Sequence, residues 1–174
     1  MKPIQLLTAL ALSLGSVTAT MAACTDSAKL EVDWSTCDKR GLELTNAYLR
    51  DSVMNNSDMR DSKLTGTKLP SANLTSSNLT NANLTNTDMK GVYLTNANLT
   101  NADLTGANLT VAHLNLANLT GTNLTDANLT NADLSGAYLR SADLTNANLT
   151  GALLTGAIWT DGRKCGANSV GECL

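Results

Sequence analysis

The sequence predicts a solenoid, and three observations carry that prediction. From Leu44 to Leu154 every fifth residue is Leu or Met, with Met54, Met59 and Met89 the departures from Leu. Two residues before each stands a small one: from Ala47 to Ala157 that position is Ala, Ser or Thr, Val92 excepted. The 174 residues are 43% hydrophobic yet 3% aromatic, with no Phe and a load of Leu, Ala, Asn and Thr, a bias that signals repetition rather than a mixed globular core. A sustained five-residue comb fits neither the helical period of about 3.6 nor the strand period of about 2, so neither one amphipathic helix nor one long strand accounts for it.

Residues 1–23 read as a secretory signal: Lys2, an apolar stretch from Leu6 to Ala19, then small residues at Thr20, Ala22 and Ala23. The stretch is shorter than the roughly 20 residues a membrane-spanning helix needs, and nothing else in the chain reads as a membrane span. Removing the signal takes the formal charge of -3 to about -4. Export to a bacterial periplasm or the extracellular space follows. The alternative is a lipid anchor on Cys24, because Met21-Ala22-Ala23-Cys24 has the small residues and Cys of a lipoprotein cleavage site, with Met where Leu is usual.

Residues 24–41 form an N-terminal cap with Cys24 and Cys37, residues 42–159 the repeats, and residues 160–174 a C-terminal cap with Cys165 and Cys173. Trp34 and Trp159 fall in phase with the comb and are expected to plug the two ends, since solenoid edges need covering. Lys39 also falls in the inward phase. An ammonium group does not enter an apolar tube unpartnered, so the first coil is expected to be irregular before Leu44.

The units Ala72-Asn73-Leu74-Thr75, Ala102-Asp103-Leu104-Thr105 and Ala132-Asp133-Leu134-Ser135 resemble the A-[DN]-L-x-x unit of pentapeptide-repeat proteins. The resemblance implies an all-β fold, a right-handed quadrilateral parallel β-helix with four pentapeptides per square coil, the Leu and the small residue inward and the other three outward. About six coils at roughly 4.8 Å would make a rod near 30 Å long. The residues agree with this picture, because a narrow tube takes one medium apolar side chain per side and a small residue where the backbone turns past it. A rod of that length separates the cysteine pairs, and with a signal segment present two local disulfides, Cys24 with Cys37 and Cys165 with Cys173, are the economical reading; metal or redox chemistry is the alternative. The segments Val32-Asp33-Trp34-Ser35-Thr36-Cys37 and Trp159 through Cys173 resemble the cysteine-closed ends of secreted bacterial members.

Residues twenty apart stack in columns. Thr45, Thr65, Thr85, Thr105, Thr125 and Thr145 form an unbroken Thr column beside Glu43, Lys63, Asn83, Asp103, Asn123 and Asp143, with Glu43 and Lys63 an exposed pair. Asn and Thr are expected to hydrogen-bond along such ladders and keep the sides soluble. An ice- or ordered-surface-binding role for the Thr column is the sharper alternative. The Asn-Leu-Thr triplets, as at Asn73, Asn83 and Asn128, are also formal N-glycosylation sequons. Val111 and Leu116 occupy neighbouring outward corners and are the candidate contact patch.

The one His, His113, stands in a column with Tyr93 and Asp133 on a convex side without a pocket, and Ser135 lies across from it, too far to be paired as nucleophile and base. No enzyme, cofactor or metal site is therefore expected. Some cytosolic members of the family resemble DNA and bind topoisomerases; here the signal segment and outward positions of Asn, Thr, Ser and Gly lack the dense carboxylate rows that such mimicry requires. No basic stripe suggests nucleic acid. What remains is an exported structural or protein-interaction module for an unknown protein or surface partner, with end-to-end homodimerisation open to it.

Overall fold

The computed structural model describes residues 24–174, so the signal segment lies outside the described residues. From Asp33↔Val53 to Tyr138↔Ile158 every parallel bridge joins a residue to the one twenty positions on. Each coil is thus twenty residues and four pentapeptides long, with one bridging residue on each of four sides. Numbered in chain order, the sides bridge through Glu43, Tyr48, Val53 and Asp58 and their counterparts every twenty residues. The pairing is one residue wide on each side, which is why no extended strands form.

The five-residue period follows from the backbone. In the unit centred on Leu44, the Leu N–H donates to Lys63 O at 2.8 Å, the Asn46 N–H to Thr65 O at 2.9 Å, and the Ala47 N–H closes the turn on Leu44 O at 2.9 Å. The bridging residue one coil up, Lys63, returns its N–H to Leu42 O at 2.9 Å. One donor per unit, the N–H after the Leu, is left without a carbonyl. The Asn or Asp before the Leu satisfies it: Thr75 N donates to Asn73 Oδ1 at 3.1 Å and Thr105 N to Asp103 Oδ1 at 3.0 Å. The recurring [DN]-L-T triplet, and with it the sequon pattern, is this local cap. Most Asn and Thr bonds accordingly stay within a triplet, which corrects the expected ladders; bonds between coils are few, such as Thr85 Oγ1 to Thr65 Oγ1 at 3.2 Å and Asn108 Nδ2 to Asp88 Oδ1 at 3.0 Å.

Every fifth residue from Glu31 to Gly156 has positive φ, as the third position of a type II turn demands. The bend therefore lies before the small residue, not at it, and the small side chain points into the tube. The core is one stack of Leu and Met, fully buried from Leu49 to Leu139. In the lower coils the small residue is often Ser or Thr, and its hydroxyl bonds a turn carbonyl, as Ser57 to Met54 O at 2.6 Å; Ser52 and Ser62 hydroxyls find no partner.

The register begins earlier than residue 42. Val32, Trp34 and Cys37 are buried and in phase, and Trp34 N donates to Val53 O at 2.7 Å. Lys39 does not break the first coil, because its Nζ donates to Cys24 O at 2.6 Å and sits 4.0 Å over the Trp34 ring. Burial nonetheless pushes the Lys39 ammonium down from its ordinary pKa. Cys24 is joined to Cys37 with Cα atoms 5.5 Å apart. The Trp34 Nε1 donates to Asp26 O at 3.1 Å, so Trp34 plugs the tube under a covering segment.

The upper end is closed on two sides only. The chain doubles back antiparallel, Leu153↔Val170 and Ile158↔Lys164, and the Cys165–Cys173 bridge, with Cα atoms 4.9 Å apart, ties the tail over the third and fourth sides. Trp159 is half-buried at this rim instead of filling the tube. Over the first and second sides Leu144, Ala147 and Leu149 are half-buried, and the N–H groups of Leu144, Asn146 and Leu149 meet no backbone acceptor among the described residues.

Candidate interaction surface

Carboxylates and cations gather at the lower end of the rod. Arg40 grips Asp38 through Nε and Nη2 at 2.9 and 2.6 Å, Arg60 repeats the grip on Asp58 at the same distances, and Lys63 reaches Glu43 at 2.6 Å. These hydrogen bonds hold the Asp38, Asp58 and Glu43 carboxyls below their usual range, Asp38 down to about 2. A carboxyl depressed in the folded state stabilises it above the ordinary carboxylate range and loses that effect as pH falls through its folded pKa. The Asp38–Arg40 and Glu43–Lys63 pairs are solvent-exposed and the Asp58–Arg60 pair is half-buried, so screening leaves them to orient the end and contribute little stability. Higher up, from Gly91 to Leu139, there is no Lys or Arg at all.

The Thr column lies on the first side as the columns require. Its hydroxyl protons are turned sideways into the neighbouring column: Thr85 onto Asn83 at 2.8 Å, Thr105 onto Asp103 and Thr145 onto Asp143, each at 2.6 Å. At these positions the hydroxyls are not free to form a lattice of outward donors.

His113 stacks flat on Tyr93, with ring centroids 4.7 Å apart and planes within 1°. Asp133, next in the column, accepts the Ser135 N–H at 2.9 Å as an ordinary triplet cap. His113 and Asp133 are thus engaged separately. Among the described residues no group of three or more His, Cys, Asp or Glu converges as a metal site.

The feature that departs from the repeat is the pair Val111 and Leu116. Of the 26 corners with positive φ, 22 carry Gly, Asn, Asp or Ser, which tolerate that conformation; Glu31 and Thr36 lie in the first coil, and the remaining two are Val111 at 51° and Leu116 at 61°. A β-branched or bulky side chain costs about 1–2 kcal/mol in left-handed backbone. Both side chains are nonetheless exposed, Leu116 by 51%, so burial does not offset that cost. They flank the third-side segment of a single coil, with the Tyr93–His113 stack between them. Four other corners place Asn directly below Gly, the Asn side chain folding under the glycine (Asn46 and Gly66, Asn86 and Gly106, Asn101 and Gly121, Asn131 and Gly151). Leu116 fills that same slot under Gly136, where a Cβ would come within 2.8 Å of Leu116 Cδ2. On the fourth side Leu116 and the half-exposed Tyr138 wall a shallow depression of about 360 Å³. The sequence marked Val111 and Leu116 by their polarity; the depression, and the part of Tyr138 in it, emerge only in three dimensions.

Twenty-residue coils, parallel bridges and a Leu-filled core define a β-solenoid repeat protein. A model of the family described as pentapeptide repeats matches residues 43–81, 72–110 and 117–156 with eight copies, well over half the chain, and the chain belongs to the pentapeptide-repeat family. Known structures of that family are right-handed β-helices, and its proteins are generally non-enzymatic structural or interaction modules. Among solved structures the chain is similar to HetL, a pentapeptide-repeat protein involved in heterocyst differentiation regulation in the cyanobacterium Nostoc sp. strain PCC 7120, at 31% identity over 79% of this chain and 77% of that one, with a TM-score of 0.38. It is similar to a pentapeptide-repeat protein of the Arabidopsis thaliana thylakoid lumen at 36% identity, covering 57% of this chain and 66% of that one, with a TM-score of 0.41. QnrB1, a plasmid-mediated fluoroquinolone resistance protein, is 21% identical over 69% and 67% of the two chains, with a TM-score of 0.44. No curated protein sequence matches the chain.

Proposed function

We propose that this protein is an exported, non-enzymatic interaction module, a right-handed four-sided rod that docks a partner through the corner built on Val111 and Leu116. The observation that carries the reading is the pair itself: bulky apolar residues at two consecutive left-handed corners, both exposed, on a rod whose other corners above the first coil carry Gly, Asn, Asp or Ser. Export is supported by two disulfides, one at each end, since such bonds persist in oxidising compartments. Among the described residues no helix is long and apolar enough to cross a membrane. Right-handed coiling agrees with the general hand of parallel crossovers.

A photo-reactive side chain placed at position 116 and, separately, at position 105 of the Thr column tests the reading in the envelope fraction of the source cells. Adducts from position 116 alone are the expected result. Adducts from position 105 alone, or from neither, would remove the corner as the docking surface.

A further inference from the structure

The fourth side also says what kind of partner the corner suits. From Asn78 to Tyr138 its outward positions are Asn78, Thr80, Asn98, Thr100, Asn118, Thr120 and Tyr138, with no acid or base over three coils, while Asp58 and Arg60 lie below and Arg140 above. A strongly charged partner has nothing to pair with here, so the matching ligand is neutral.

The donors on this side point outward. The Oδ1 atoms of Asn98 and Asn118 are taken by the N–H groups of Thr100 and Thr120, each at 3.1 Å, which turns the amide NH2 groups away from the rod. Unlike Asn81 and Asn108, whose Nδ2 atoms bond Asp61 and Asp88 one coil below, these amides donate to no protein group among the described residues. An apolar side chain pressed into the depression would strand them. Leu116 and Tyr138, in turn, would be poorly matched by a purely polar ligand. The occupant must offer acceptor oxygens and flat C–H surfaces together, and it must do so with the period of the coils, about 4.8 Å along the rod. A pyranose ring has hydroxyl oxygens at its edge and C–H groups on its face, and an extended β-linked chain advances by a similar step per sugar.

We propose that the fourth side binds a neutral, extended β-linked glycan strand lying along the rod, with a sugar face against Tyr138 and Leu116 and its hydroxyl oxygens accepting from the Asn98 and Asn118 amides. The proposal rests on the reading of the Leu116 corner as the docking surface. It goes further in naming the ligand class and in adding Tyr138, Asn98 and Asn118 as specificity residues.

Affinity electrophoresis of the disulfide-intact mature chain in gels containing hydroxyethylcellulose, followed by calorimetric titration with cellohexaose and with chitohexaose, tests it. The expected result is retardation in the gel and binding of at least one hexasaccharide, weakened tenfold or more by Tyr138→Ala and by Leu116→Asn, and unchanged by Thr130→Ala on the second side. Tyr138 is half-exposed and Asn is the residue the slot under Gly holds elsewhere, so both variants keep the fold, which circular dichroism checks. Absence of retardation together with no hexasaccharide binding, or equal binding by Tyr138→Ala, overturns the glycan. If crosslinking from position 116 persists in that case, the docking surface stands with a protein as its partner; if it too is absent, both readings fall.

Discussion

Replacing Leu104 by alanine is expected to cost about 3–5 kcal/mol, at the upper end of buried Leu→Ala changes. Leu104 is fully buried in the middle of the rod, and Leu84 and Leu124 precede and follow it in the same column of the stack. A tube one side chain wide has no second layer to collapse into the space. Because each coil contacts only its neighbours, a mid-rod defect also weakens the coupling between the halves. Denaturant unfolding followed by circular dichroism should therefore show a lower midpoint and a broader or two-step transition for Leu104→Ala. Leu149→Ala, at the half-buried open edge, should cost less than half as much. Equal costs at the two positions would mean that the rod does not unfold as a stack of coils.

The second large effect is confined to one end. Replacing both Cys165 and Cys173 by serine opens a loop of sequence separation 8, for which chain entropy predicts a loss of about 2–3 kcal/mol. That bridge holds a tail whose carbonyls accept from the rim: Leu154 N donates to Ser169 O at 2.9 Å and Gly156 N to Cys165 O at 3.1 Å. In a solenoid the loss should stay local. Hydrogen exchange should accelerate at Leu154 and Gly156 and stay slow at Leu104, whose own N–H is bonded to Asn123 O at 2.7 Å in mid-rod. Accelerated exchange along the whole rod would instead make the C-terminal cap the nucleus of the fold.

Much of the architecture is legible because one rule, Leu or Met every fifth residue, repeats without a slip from residue 44 to residue 154. Columns of residues twenty apart follow from four units per coil, and they set Tyr93 beside His113, where the two rings stack. The conformation at the corners left its own mark in the Gly, Asn, Asp and Ser that hold most positions inside the bend, but the small residue that follows stands out first and takes the credit for the turn. Lys39 misled because charge arguments from sequence cannot see a carbonyl fifteen residues back or a ring beneath. The Asn and Thr columns misled for a related reason: stacking suggests bonds between coils, yet the unsatisfied N–H inside each triplet is nearer and claims the side chain first. Val111 and Leu116 were visible as apolar intruders. That they are also strained could be known only once φ was.

If Leu116 is held in left-handed backbone for the sake of what it touches outside the rod, the rod itself should be better off without it. The most direct measurement is the thermal midpoint of Leu116→Asn beside the parent chain. Asn folds under Gly at four other corners, so relief of roughly 1 kcal/mol of strain should raise the midpoint by several degrees. A lower midpoint would show that Leu116 serves the fold, and the corner would lose its claim to be the working surface of the protein.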